Sequence, residues 1–180
     1  MSLRLLAACA VVALAGCGAS GSRPRAPGGS AVARAQATHE YPATGQPRER
    51  AIGAALSGAA AVGSFASAYI NWSADTVSSD MRALAARSIG QARSAVQLAA
   101  AETAGDYELQ RGGIANSGVV EAIAPLRGRP DQYAVVTREL TTATATTAYQ
   151  GLQPAWHVAI ATVSEIAPGE WVVSGWQPES

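Results

Sequence analysis

The sequence contains no lysine and few aromatic residues. Its 13 basic residues are all arginine and are matched by 13 acidic residues, which gives a formal net charge of zero. A nucleic-acid-binding protein normally carries a cluster of excess positive charge, so this balance argues against nucleic acid as a partner. Aromatic residues make up 6% of the chain, with a single phenylalanine. The core must therefore depend on a few large side chains.

Cysteine and histidine are also scarce, with two of each in the chain. Cys9 lies in an N-terminal apolar run that we expect to be removed, and we expect Cys17 to be modified, so no disulfide is expected in the mature chain. His157 is the one histidine that we expect in the folded part. The sequence has no cysteine and histidine cluster, no nucleophile elbow and no phosphate-binding loop. We therefore predict neither a metal site nor a cofactor.

The N-terminal apolar run is too short to cross a membrane. It covers residues 5–14 and follows the positive charge of Arg4, whereas a spanning helix needs about 20 apolar residues. A short apolar run after a positive charge is typical of a secretory signal peptide. The run closes on Leu14-Ala15-Gly16-Cys17, which resembles the lipobox of bacterial lipoproteins.

This resemblance implies cleavage after residue 16 and acylation of Cys17. Residues 1–16 are then a lipoprotein signal peptide, and acyl chains such as palmitate hold the mature protein at the extracytoplasmic face of the cell membrane, because two chains give stable anchoring. The alternative is an ordinary secreted protein in which Cys17 has no role. Residues 17–50 are rich in Gly, Pro, Ser and Arg and predict a flexible linker. Residues 51–180 are the predicted folded domain.

The first part of this domain has the apolar spacing of a helix. Large apolar residues recur at intervals of three and four and share one helical face: Val62, Phe65, Tyr69 and Trp72. We expect this helix to run to about Thr76. A capping box of Ser88 and Gln91 predicts the start of a further helix, and Gly112-Gly113 predicts a turn before the first strand.

The second part of the domain alternates with the period of β-strands. Strands are predicted over residues 114–126, 133–147, 156–166 and 171–176, separated by turns with glycine and proline. The third strand presents two faces, with Trp156, Val158 and Ile160 on one and His157, Ala159 and Ala161 on the other. Helices followed by a run of strands predict an α+β fold, with N-terminal helices packed on a curved antiparallel sheet of about four strands.

Five aromatic residues are candidates for the core or for the lining of a ligand pocket: Tyr69, Trp72, Tyr133, Trp156 and Trp171. His157 is the candidate for acid–base chemistry, which would require a carboxylate partner. The carboxylates considered are Asp75, Glu121 and Glu139. Because nothing in the spacing requires such a pair, no catalytic residue is predicted.

Three segments resemble a known family: Phe65-Ala-Ser-Ala-Tyr69-Ile-Asn-Trp72, Ser88-Ile-Gly-Gln-Ala-Arg93 and Glu170-Trp-Val-Val-Ser-Gly-Trp176-Gln-Pro178. They are similar to actinobacterial proteins with the nuclear-transport-factor-like cone fold. Within that group they resemble conjugation-associated proteins of the TcpC type, which are relatives of the periplasmic scaffold subunit of type IV secretion systems. The resemblance covers residues 60–178 and implies a cone-like domain with a scaffold role. The TcpC type is anchored by a transmembrane helix, whereas a lipid on Cys17 is expected here.

We therefore expect a lipid-anchored envelope protein with a non-catalytic scaffold or accessory role, in conjugative transfer or type IV-like secretion. Its expected partners are the membrane, through the anchor on Cys17, and envelope proteins or further copies of the chain. Two alternatives stay open. One is a module that binds a small apolar ligand in a pocket. The other is an enzyme of the SnoaL-like branch that uses His157 as general base.

Overall fold

The computed structural model describes residues 49–179. The predicted signal peptide, Cys17 and residues 18–48 of the predicted linker lie outside the described residues. The described part contains the helices α1 (Gly58–Ile70), α2 (Val77–Ala86), α3 (Gly90–Thr103) and α4 (Tyr107–Gly112). Its strands are β1 (Trp72–Ser73), β2 (Ile114–Leu126), β3 (Arg129–Ala143), β4 (Ala155–Ala167) and β5 (Glu170–Glu179). None of these helices is long and apolar enough to cross a membrane.

The strands form an antiparallel sheet in the order β1-β2-β3-β4-β5, so each strand pairs with its neighbour in the sequence. Tight turns join β2 to β3 and β4 to β5. Each turn uses a glycine with positive φ, Gly128 and Gly169, because other residues are strained in that conformation. Register shifts in both ladders are β-bulges, which bend the strand and increase its twist. The prediction of an α+β fold with helices on a curved antiparallel sheet is confirmed.

The hydrophobic core lies between the inner face of the sheet and the helices α1, α2 and α3. Helix α1 begins after Ser57, whose hydroxyl accepts a hydrogen bond from Ala60 N at 3.2 Å, as an N-cap residue does. The buried side chains from α1 and the sheet include Val62, Phe65, Ile70, Val135 and Trp176. All side chains of the core cluster come from residues 55–176. The described part of the chain therefore holds its own hydrophobic core.

Both edges of the sheet receive hydrogen bonds from within the domain. At the β5 edge, Ala55 and Trp171 exchange two backbone hydrogen bonds of 2.8 Å, and Ile89 N donates to Val173 O. At the β2 edge, β1 pairs with Ala115 and Asn116. Because an unpaired strand edge is a template for association with other chains, these contacts reduce the number of backbone groups that are open to a partner.

The predicted length of the first helix is wrong. Helix α1 ends at Ile70 rather than near Thr76, and Trp72 lies in β1 rather than on the helical face. Asn71 has extended backbone angles, and its side chain accepts a hydrogen bond from Gly118 N at 3.0 Å and donates one to Gly118 O at 3.2 Å. This pairing with β2 takes the chain out of the helix.

The predicted capping box is also wrong. The residue that precedes α3 is Ile89, whose side chain forms no capping hydrogen bond, and the first amide of the helix, Gly90 N, donates to Glu49 Oε2 at 2.5 Å. The Ser88 hydroxyl instead donates to Leu84 O at 3.0 Å, at the end of the preceding helix. Gln91 bonds to the backbone of Trp176. Both side chains that form a capping box are thus engaged elsewhere.

Candidate functional site

A cavity of about 520 Å³ opens between the helices and the inner face of the sheet. Its helix side is formed by residues from α1, β1, α2 and α3: Tyr69, Trp72, Val77, Met81, Ala99 and Thr103. Its sheet side is formed by residues from β2, β3 and β4: Asn116, Glu139, Thr141, Ala155 and His157. Leu152 and Gln153, in the connection between β3 and β4, complete the lining. Pockets of this size commonly hold small molecules.

Two of the aromatic residues singled out in the sequence, Tyr69 and Trp72, lie together in this cavity. The Tyr69 ring stacks on Phe65, with ring centroids 6.0 Å apart, and lies 5.4 Å from the ring of Trp176. Trp72 is placed by the pairing of β1, where it lies opposite Asn116 on β2. Both side chains are half-buried, so each presents part of its ring to the cavity.

A network of polar side chains lines the sheet side. The carboxylate of Glu139 accepts two hydrogen bonds, from Thr137 Oγ1 at 2.5 Å and from Asn116 Nδ2 at 2.8 Å. Asn116 Nδ2 also donates to Ile70 O at 2.7 Å, and Asn116 Oδ1 accepts from Thr141 Oγ1 at 3.1 Å. Asn116 and Thr137 are buried, with 8% and 4% of their surface exposed. These contacts fix the position of the Glu139 carboxylate at the cavity.

Glu139 has no cationic partner within the described residues. The salt bridge formed in residues 49–179 joins Arg138 Nε to Glu121 Oε1 at 2.8 Å, and it lies on the opposite face of the sheet. The cavity lining contains no arginine, and the chain contains no lysine. The negative charge of Glu139 is therefore balanced only by hydrogen bonds.

The environment of Tyr69 changes its acidity. Burial raises the pKa of the Tyr69 hydroxyl above its ordinary value of 10.0, and the charge of Glu139 raises the pKa further. Trp176 acts in the opposite direction and lowers the pKa. This contribution is the smallest of the three. Trp176 Nε1 itself is buried and makes no hydrogen bond to any described residue. The hydroxyl is therefore harder to ionise than that of an exposed tyrosine.

His157 lies on the inner face of β4 at the exposed side of the cavity. It pairs across the ladder with Thr137, and Glu139 lies two residues along β3 on the same face. Diagonal neighbours of this kind are about 7–8 Å apart. No hydrogen bond joins the imidazole to a carboxylate within the part of the chain that the structure describes. Of the carboxylates considered from the sequence, Glu139 shares the cavity with His157, whereas Glu121 is bound to Arg138.

The remaining three aromatic candidates lie away from the cavity. Tyr133 is half-buried on β3, and its hydroxyl lies 2.8 Å from the position that a Cβ at Gly58 would take. Trp171 is half-buried and pairs with Ala55. Trp156 is 62% exposed. Of the five candidates, two therefore line the cavity (Tyr69 and Trp72), two pack against the core elsewhere (Tyr133 and Trp171), and Trp156 lies on the surface.

Trp176 was not among those candidates, although its ring is buried against Phe65 at 5.1 Å and supports Tyr69. Trp171 and Trp176 are an odd number of residues apart on one strand, so strict alternation puts them on opposite faces. The bulge at Thr162 and Val163 breaks this alternation and places both tryptophans on the face of Ala161 and Val163. Trp176 is part of the core cluster there, and Trp171 packs against it half-buried.

The face of the sheet opposite the helices carries a second feature, an exposed apolar patch formed by Val119, Trp156 and Val158. Their exposed fractions are 49%, 62% and 43%. Val119 and Trp156 lie on either side of Arg138, in one row across β2, β3 and β4. The Arg138 guanidinium lies 6.0 Å from the centre of the Trp156 ring. We call these three residues the outer patch. Trp156 and Val158 are neighbours on this face of β4, and Arg138 separates them from Val119. Exposed apolar residues that cluster on a protein surface commonly mark an interaction site.

Within the described residues, no group of histidine, cysteine, aspartate and glutamate side chains is arranged to hold a metal ion.

No family model matches the chain. No curated protein matches it significantly in sequence. A solved structure of the VirB8 protein of Agrobacterium tumefaciens is similar at 14% identity, with a TM-score of 0.48, over 67% of this chain and 88% of that chain. The description of the fold as helices followed by a curled antiparallel sheet depends on the strand order and register of this chain alone.

Proposed function

We propose that the chain is a lipid-anchored protein of the extracytoplasmic face of the cell membrane, and that its cone domain acts as a non-catalytic scaffold or accessory subunit. The anchor is Cys17, and conjugative transfer or type IV-like secretion is the proposed setting. The anchor is supported by the lipobox-like residues 14–17, and the setting by the resemblance of three domain segments to the TcpC type. The observation that best supports the scaffold role is the outer patch on the sheet.

The occupant that we propose for the outer patch is a second copy of the chain. The patch is bordered by one cation and one anion, Arg138 and Glu121, which form a salt bridge. A copy related by a two-fold axis presents the same two charges, so Arg138 can face Glu121 of its partner. A lipid anchor confines both copies to one surface and raises their effective concentration. The patch therefore suits self-association at a membrane.

Sedimentation of the lipid-free chain, residues 18–180, tests this contact. We expect a concentration-dependent dimer in the micromolar range and a shift to monomer in the Trp156→Ser variant. Tyr107→Ser is the matched control, because Tyr107 is 67% exposed on α4, away from the outer patch. A wild-type chain that stays monomeric, or a dimer that Trp156→Ser leaves intact, would contradict the proposed contact.

The cavity favours a second candidate function, a module that binds a small ligand. It combines a mainly apolar helix side with a fixed carboxylate, as ligand sites commonly do. The enzyme alternative gains less support. His157 and Glu139 share the cavity, but within residues 49–179 no hydrogen bond orients the imidazole, and an orienting partner is part of most acid–base sites.

A further inference from the structure

We propose that the cavity binds a small organic cation with an apolar body, whose positive head is held by Glu139. The ligand class is an amine or a related ammonium compound. This binding site is separate from the outer patch, and its presence or absence does not depend on self-association or on the lipid anchor.

The first support is the direction of the hydrogen bonds on the sheet side. Both amide hydrogens of Asn116 are used, one by Ile70 O and one by Glu139 Oε2. The hydroxyls of Thr137 and Thr141 also donate within the protein. Each Glu139 oxygen has accepted one hydrogen bond and can accept another. The sheet side therefore offers acceptors around Glu139, and a ligand group that binds at this carboxylate must donate.

The second support is charge. Glu139 is half-buried, and no described cation lies within salt-bridge distance of it. A charge that is partly removed from water interacts more strongly with an opposite charge than an exposed one does. The other titratable groups that face the cavity are Tyr69 and His157. A cationic donor thus gains both hydrogen bonds and charge compensation, which a neutral donor does not.

The third support is the opposite wall. Trp72 and Tyr69 present half-buried aromatic rings, and the face of an aromatic ring attracts an organic cation. Val77 and Met81 add buried apolar surface next to these rings. An ion of purely inorganic character would leave this wall unused. The combination fits a ligand with a cationic head and an apolar body.

Binding can be tested with three probes of matched chain length: n-hexylamine, hexan-1-ol and hexanoate. The protein is the lipid-free chain of residues 18–180, which includes the whole described core. Amide and indole NMR shifts report the site, and calorimetry reports the affinity. We expect hexylammonium to bind with a Kd on the order of 1 mM and to shift the Trp72 indole signal. Hexanol and hexanoate should bind at least about tenfold more weakly.

Two variants assign the binding to the cavity. Glu139→Gln keeps the shape of the side chain and removes its charge, so it should weaken hexylammonium binding about tenfold or more. Glu170→Gln, an exposed carboxylate at the start of β5, is the control and should leave binding unchanged. Ala99→Leu places a larger side chain in the cavity and should abolish binding, whether or not Glu139→Gln folds normally.

Equal binding of hexanol and hexylamine would overturn the role of charge. Preferential binding of hexanoate, or no binding of any probe, would overturn the proposal as a whole. Hexylammonium binding that Ala99→Leu leaves unchanged would place the site elsewhere and would equally contradict it.

Discussion

The side-chain amide of Gln91 forms hydrogen bonds with both backbone groups of Trp176. Gln91 Nε2 donates to Trp176 O at 3.2 Å, and Trp176 N donates to Gln91 Oε1 at 2.7 Å. The amide thus pairs with the β5 edge as a neighbouring strand would. It joins the start of α3 to the strand that carries the buried indole, and that indole packs on Phe65 and Tyr69.

The first prediction concerns this amide. Gln91→Ala leaves both Trp176 backbone groups without their partner, so we expect it to lower the free energy of unfolding by about 1–2 kcal/mol. Gln97→Ala, an exposed position on the same helix, should change it by less than about 0.5 kcal/mol. Urea unfolding of both variants measures the difference. Equal effects would show that the amide has no structural role.

The second prediction compares two tryptophans. Trp176 is 4% exposed, whereas Trp156 is 62% exposed. Trp176→Ala removes a buried indole and should lower the free energy of unfolding by about 3–5 kcal/mol. Trp156→Ala should lower it by about 1 kcal/mol or less, since it loses mainly the contact with Arg138. Chemical unfolding followed by circular dichroism, which does not depend on the removed fluorophore, measures both, and a reversed order would contradict the described burial.

The fold was predictable where local patterns determine it. Alternation in the second half identified the long strands, and the turn at Gly112-Gly113 placed the start of β2 at Ile114. The end of α1 was not predictable, because it depends on Asn71 pairing with Gly118, 47 residues later. The role of Gln91 was not predictable for the same reason, because its hydrogen-bond partner, Trp176, lies 85 residues along the chain. Local capping patterns do not contain such contacts.

The third prediction concerns Gly118, the residue at which β2 lies close to both β3 and α1. A Cβ at Gly118 would lie 2.8 Å from the backbone oxygen of Arg138 and 3.1 Å from Ile70 Cδ1. Because a backbone atom cannot move aside easily, Gly118→Ala should lower the free energy of unfolding by about 1–3 kcal/mol.

Gly63→Ala in α1 is the matched control for Gly118→Ala. A Cβ at Gly63 meets a flexible side-chain end, Ile123 Cδ1, at 3.2 Å, and alanine has a better helix propensity by up to about 1 kcal/mol. We expect this variant to be neutral or slightly stabilised in thermal unfolding. A Gly118→Ala variant as stable as Gly63→Ala would contradict the close packing of β2 on β3.

The fourth prediction follows from the raised pKa of Tyr69. A group whose pKa is higher in the folded state stabilises that state below its ordinary pKa and loses this contribution as the pH rises through the raised value. The free energy of unfolding should therefore fall as the pH rises above the ordinary value of 10.0. Since burial and the charge of Glu139 raise the pKa, Glu139→Gln should lower it towards the ordinary value.

Carbon NMR of ring-labelled tyrosine can follow the titration of Tyr69 separately from the other tyrosines. Glu170→Gln should leave its pKa unchanged, since Glu170 lies outside the cavity. An unchanged titration of Tyr69 in Glu139→Gln would show that the two groups do not interact as described.

The candidate site was predictable in part. Tyr69 and Trp72 were recognised from their spacing, and His157 and Glu139 from their chemistry, but the sequence did not place all four in one cavity. That depends on the register of β3 against β4, which sets Thr137 opposite His157, and on β1, which carries Trp72. Trp156 resembled the other aromatic residues in sequence. Its surface position depends on which face of β4 meets the helices.

Mass spectrometry of the mature protein extracted from membranes tests most directly whether the chain is an envelope lipoprotein. We predict an N-terminal peptide that begins at Cys17 and carries acyl chains, and loss of membrane association or of processing in Cys17→Ala. A mature protein with an unmodified thiol at Cys17, or an equally retained and processed Cys17→Ala variant, would contradict the anchor and with it the proposed envelope role.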